Sequence, residues 1–181
     1  MIKIETSVTT PVVLEAIKLV NELLKSEAFY AEISQKTTPF VFSNKTPSEI
    51  AGLIRSTDAT VTVTLYTARR RSDVYAYEDA RYPGVVFLNT RKLNRSAASV
   101  AASIVHECVH SVDRMNDDSD FGHGGNSTRG KSNTAPYWID ELAERMLTSS
   151  QNKMLEKPVE ARVLPLSYDL DPTASDLVPF T

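Results

Sequence analysis

Two of the chain's three histidines, His106 and His110, stand four residues apart in the stretch SIVHECVHSVDRM, with Glu107 beside the first. On a helix turning about 100° per residue, these imidazoles lie on one face, one turn apart, and can converge on a single ion. Glu107 then sits about 100° round the helix, beside the ion and not on it. A carboxylate so placed takes a proton from a water that zinc has acidified, and the hydroxide attacks a carbonyl. That is the mechanical content of a His-Glu-x-x-His run. The pattern fixes only three positions and recurs by chance, so its surroundings decide. Val100, Ile104, Val105, Cys108, Val112 and Met115 give the segment a broad apolar face. Polar side chains on a buried helix are costly without partners, and a metal suits this spacing.

Catalytic zinc takes three protein ligands and leaves a fourth position to water. His123 in DFGHGGN is one source of the third, since four of the chain's six glycines fall between residues 122 and 130. Glycines on both sides of a histidine permit turns that fold the chain back under the metal. A loop histidine there also suits the steadying of an oxyanion. Glu141 in APYWIDELAERML is the alternative ligand, with Asp140 a variant of the same idea and Glu144 one turn on as its partner. Against both stands a plain acidic face at a helix start. Asp113, nearly in line with His110, suits a ring N–H acceptor or a partner for Arg114 or Lys131. Tyr137 offers a phenol to a tetrahedral oxyanion, or is a half-buried aromatic beside Trp138. Asn126 and Asn133 read as turn residues.

The elements that must position these groups follow from local pattern. The histidine helix starts near Asn94 or Ser96 and runs to about Met115, its SAASVAAS stretch letting a neighbour approach closely. Pro11 followed by Val13, Ile17, Val20, Leu24 and Ala28 predicts an amphipathic helix over residues 11–33. Thr46, Pro47 and Glu49 form a capping box for a short helix ending about Ser56. ATVTVTLYTA alternates as a half-buried strand, and DVYAYED and GVVFLNT are two more, joined by the turn ARYPG.

With 181 residues, 41% hydrophobic, the chain suits one domain over residues 1–156, burying roughly 70% of its unfolded surface. Residues 157–181 read as an extended tail packed on the domain or partly loose. A net charge of −3 gives no general attraction to nucleic acid or anionic membrane. The one basic cluster, Arg69 to Arg71, reads as a solvated turn. The single Cys108 excludes an intramolecular disulfide and reads as a packing residue. No apolar run approaches the roughly 18 residues of a membrane span, and the start lacks the order of a secretory signal. The expectation is a soluble protein, cytoplasmic or exported without a cleavable signal.

On the strength of AASIVHECVHSVD and the strand before it, residues 59–147 resemble the zincin metallopeptidases. The resemblance implies His106 and His110 as zinc ligands and Glu107 as general base. It also implies that PGVVFLNT, through Val85–Leu88, is the sheet-edge strand to which the substrate backbone adds. The metzincin branch takes a third histidine after a glycine turn, as with His123, though at shorter spacing and with glycine where this chain has Asp113. The gluzincin branch takes its third ligand from a second helix, often in a Trp-apolar-x-Glu setting that WIDE resembles, with Leu142 at its usual glycine. The expected fold is α+β and zincin-like: a twisted sheet of three or four strands on two N-terminal helices and the active-site helix. The expected function is zinc-dependent hydrolysis of a peptide or protein substrate. The alternative is a binding or scaffold module of the same fold, with structural zinc or none. A third reading, a metal-independent nucleic-acid regulator using Arg69 to Arg71, has little support in a net-acidic chain.

Overall fold

Strict alternation in TVTVTLY determines how the sheet meets its core. In the computed structural model, which describes residues 1–123 and 131–155, strand β2 (Thr60–Tyr66) buries Val61 and Val63 and exposes Thr60 and Thr62. Strand β1 (Lys3–Thr6), which the sequence pattern had not signalled, pairs in parallel with β2 through Ile4 and Val61. The helical pattern of residues 11–33 breaks into α1 (Pro11–Leu23) and α2 (Glu27–Ser34). Tyr30 Oη donates to Leu24 O at 2.7 Å across the break, and Phe29, Tyr30 and Ile33 turn into the core. That second apolar face packs on α3 (Pro47–Ser56), whose Thr46–Glu49 capping box forms as expected.

Strands β3 (Ala76–Glu78) and β4 (Val85–Asn89) complete a mixed four-stranded sheet in the order β1-β2-β4-β3 among the described residues. β4 runs parallel to β2, and β3 antiparallel to β4. The expectation of an edge strand at Val85–Leu88 is therefore corrected: β4 is paired on both sides, and the edge is β3. The cause is the ARYPG turn, where Gly84 at φ 73° lets the chain fold back as a hairpin. Tyr77 stacks on Phe87 across the pair, with centroids 4.9 Å apart. The opposite edge of the sheet is covered, since Asn21 of α1 both accepts from Ile4 N and donates to Ile4 O at 2.9 Å.

A 3-10 turn (Thr90–Lys92) leads into α4 (Ala97–Met115), capped by Ser96 Oγ, which accepts from Ser99 N at 3.1 Å. Helix α4 packs between α1 and α5 (Ala135–Leu155), with β3 alongside. One apolar cluster draws on the five helices and on β1, β2 and β4, including Ile4, Val20, Ile33, Ile50, Val63, Leu88, Ile104 and Ile139, with Ala76 of β3 packed against it. Cys108 is buried within it, and burial pushes its thiol pKa up. Arg69 to Arg71 are exposed in a turn closed by Ser72 N donating to Arg69 O. Among the described residues no helix is long and apolar enough to cross a membrane. Asn126, most of the glycine-rich loop and the tail over 157–181 lie outside the described residues.

Candidate functional site

The α4 residues Ser99, Ser103, His106, His110 and Arg114 recur at helical spacing and form one wall of a cleft of about 1160 Å³. Strand β3 and the loop before it form the opposite wall. Tyr137, Asp140 and Glu144 of α5 close the floor. His106, His110 and His123 come together there, each offering one ring nitrogen within 4.8 Å of the others.

The return of the chain after α4 brings His123 to the helix, and Asp113 organises it. Its Oδ1 accepts from Phe121 N at 3.0 Å and from Ser119 Oγ at 3.2 Å, while Phe121 is fully buried. Asp113 thus shapes the loop, in place of the ring or cation partners expected of it. A Cβ on Gly122 would meet Asp113 Oδ2 at 3.5 Å and the His110 ring at 3.7 Å, ordinary contact distances that place this residue directly beside both side chains. The loop between α2 and α3 grips both arms of the segment. Asn44 exchanges hydrogen bonds with Asp118 and Asp120, and Asn133 Nδ2 donates to Pro39 O at 3.0 Å. Lys131 Nζ lies 3.5 Å from His123 Nδ1.

The imidazoles are held from behind. Asp140 Oδ2 accepts from His106 Nδ1 at 2.6 Å, which in the neutral ring leaves a lone pair on Nε2. That Nε2 faces His123 Nε2 at 3.1 Å. Two ring nitrogens so close share a proton or a cation, and donors at about 2.0–2.1 Å from a tetrahedral ion stand about 3.3 Å apart. The donor set therefore fits a metal of imidazole preference. Burial, aided by the positive charge available to His106, His123, Arg114 and Lys131, pushes the His110 pKa down to about 3 and keeps its lone pair available. Glu141 is exposed on α5, so the alternative third ligand is turned to solvent. Asp140, weighed as a ligand variant, instead holds the outer nitrogen of His106, and burial raises its pKa.

Glu107 is buried beside the histidines, and burial pushes its pKa up to about 7. His106 opposes that shift, Glu78 adds to it through its charge, and Arg114 and the Glu78 backbone N–H act against it. Sequence reasoning missed Glu78: its carboxylate is 2% exposed and accepts from Arg114 Nη1 at 2.6 Å, tying β3 to α4. Only the alternation of DVYAYED hinted at an inward side chain there. Tyr137 joins the group, its ring centroid 4.6 Å from that of His106 and 5.0 Å from that of His123. Burial raises its pKa, with Asp140 and Glu107 adding to the effect, so the phenol keeps its proton.

Asn89 N donates to Tyr75 O at 2.9 Å, so the antiparallel ladder pairs Tyr75 and Tyr77 with β4 and turns the backbone groups of Ala76 and Glu78 outward, toward the cleft. Compared with models of known families, with curated proteins and with solved structures, the chain finds no match.

Proposed function

We propose that this protein is a zinc-dependent metallopeptidase. The observation that carries the reading is the meeting of three imidazole nitrogens with the buried carboxylate of Glu107 in a cleft bordered by a sheet edge. His106, His110 and His123 would hold the ion, and imidazole donors in a three-ligand set suit zinc. Zinc supplies Lewis acidity, polarising a carbonyl and acidifying water.

The chain's own residues do the rest. The outward N–H and C=O of Ala76 and the C=O of Glu78 pair with an extended peptide and lay it along α4, the Glu78 N–H being turned to the Glu107 carboxylate. Glu107 takes the proton of the attacking water on a carboxylate oxygen and delivers it to the departing amide nitrogen, so that water adds across the broken C–N bond. Burial raises the affinity of this carboxylate for a proton, which suits it to accept one from water. Tyr137 Oη donates to the carbonyl oxygen as it gains charge. Arg114 holds Glu78, and with it the sheet edge, at a fixed height beside Glu107.

The test is hydrolysis of unfolded casein and mixed peptides by zinc-loaded protein and by its Glu107→Gln variant. Glu107→Gln retains zinc and loses about 100- to 10,000-fold in rate, the range for a positioned general base. Equal rates in parent and variant would refute the mechanism. Stoichiometric zinc with no hydrolysis by the parent favours the binding-module alternative.

A further inference from the structure

Beyond the histidines the cleft reaches a cation that the hydrolytic reading does not use. Arg95 precedes the Ser96 cap and lays its side chain along the first turns of α4. Its Nε donates to Lys92 O at 2.9 Å, Nη1 to Ser99 O at 2.8 Å and Oγ at 3.2 Å, and Nη2 to Ser103 Oγ at 2.9 Å. Tyr75, on the loop before β3, covers the guanidinium with its ring centroid 4.7 Å from Cζ. Every hydrogen-bond partner is neutral, and a guanidinium has five N–H donors, so one on Nη2 remains. Burial lowers the pKa of Arg95, and the charges available to the Tyr75 hydroxyl and to Glu144 oppose that shift. None of the ion pairs among the described residues involves Arg95. A half-buried cation with no carboxylate in salt-bridge contact, Glu144 acting on it only at longer range, is incompletely compensated, and in an open cleft an incoming anion relieves that cost.

We propose that Arg95, covered by Tyr75 and flanked by the Ser103 hydroxyl, is a specificity-determining subsite that takes a carboxylate of the peptide substrate. This rests on the hydrolytic reading of the same cleft. Ser103 lies three residues before His106, about 4.5 Å of helix rise. An extended peptide advances about 3.3 Å per residue, so the carboxylate belongs to a residue within about two positions of the scissile bond. It is an acidic side chain or the chain-terminal carboxylate. Phosphate groups are not required by this geometry, since a single remaining donor and one hydroxyl match a two-oxygen acceptor.

The experiment uses zinc-loaded full-length protein and end-blocked peptides with one Glu moved through the positions flanking the cut. Each is compared with its Gln twin, and one peptide is offered with a free and an amidated C-terminus. The expected result is a Glu-over-Gln or acid-over-amide ratio in kcat/KM of about tenfold at one position, the worth of one charge-assisted pair. Arg95→Gln reduces the ratio below about threefold, and Arg95→Lys, which keeps the charge but not the planar fork, gives an intermediate value. A side-chain preference assigns the carboxylate to an acidic residue, and a terminal preference assigns it to the chain end. A ratio near one in the parent, or a ratio unchanged in both variants, overturns the proposal. Calorimetric binding of the same peptides to Glu107→Gln protein separates the two readings. Tighter, Arg95-dependent binding of Glu peptides that the parent does not cut keeps the subsite and sinks the hydrolysis. Cleavage with no carboxylate preference does the reverse.

Discussion

Asp140 Oδ2 accepts from His106 Nδ1 at 2.6 Å, on the ring edge opposite the Nε2 that faces His123. The bond fixes both the tautomer and the rotation of the imidazole. Asp140→Asn can keep an acceptor but loses the charge that makes the ring more basic, so zinc affinity falls by about 10- to 100-fold. Competition with a chromogenic chelator measures this. Unchanged affinity in both Asp140→Asn and Asp140→Ala would remove Asp140 from the site.

Glu107 makes the metal-free protein sensitive to pH. Its carboxyl pKa is raised from 4.5 to about 7 by burial, so between those values the unfolded chain has released a proton that the folded chain retains. The contribution of Glu107 to stability is therefore full below pH 4.5 and is lost as pH rises toward 7. Glu107→Gln lacks this loss, and in chelator-treated samples it exceeds the parent by on the order of 2–3 kcal/mol at neutral to mildly alkaline pH. The two converge in acid. His110, whose pKa is lowered, gives the opposite slope, but it does so in both proteins and cancels in the difference. Urea denaturation across this range is the check, and a difference independent of pH contradicts the account.

Arg114→Met leaves the Glu78 carboxylate buried without its ion-pair partner. Because Arg114 is itself 45% exposed, the pair has been only partly removed from water, and the expected cost is about 1–3 kcal/mol. Double substitution with Glu78→Gln recovers part of it. Chemical denaturation of the four proteins in this cycle gives the coupling, and additive losses would show that the pair does not tie β3 to α4.

What the sequence disclosed was what local physics fixes. The capping box at Thr46, the alternation of Val61 and Val63, and the extent of α4 follow from neighbouring residues alone. The pairing order of the strands does not, which is why Val85–Leu88 read as an edge until the hairpin at Gly84 brought β3 beside it. The split at Leu24 was hidden because α2 continues the apolar composition of α1 while facing another partner. On α5 a usable signal existed. Ile139, Leu142, Ala143 and Leu147 form the buried stripe, and Glu141 lies about 180° from its centre. Asp140 lies nearer the stripe, at its border, with Tyr137 and Glu144 on the same side. Helical phase alone thus separates the solvent-facing acid from the one that reaches His106.

The central claim is that His106, His110 and His123 hold one zinc ion. Zinc titration of chelator-stripped protein, with the metal counted per chain, tests it most directly when run beside His123→Ala and Glu141→Gln. The account predicts one zinc per chain in the parent and in Glu141→Gln, and an affinity at least about 100-fold weaker in His123→Ala, because two ligands remain of three. No stoichiometric zinc in the parent, or zinc retained by His123→Ala and shed by Glu141→Gln, would contradict it.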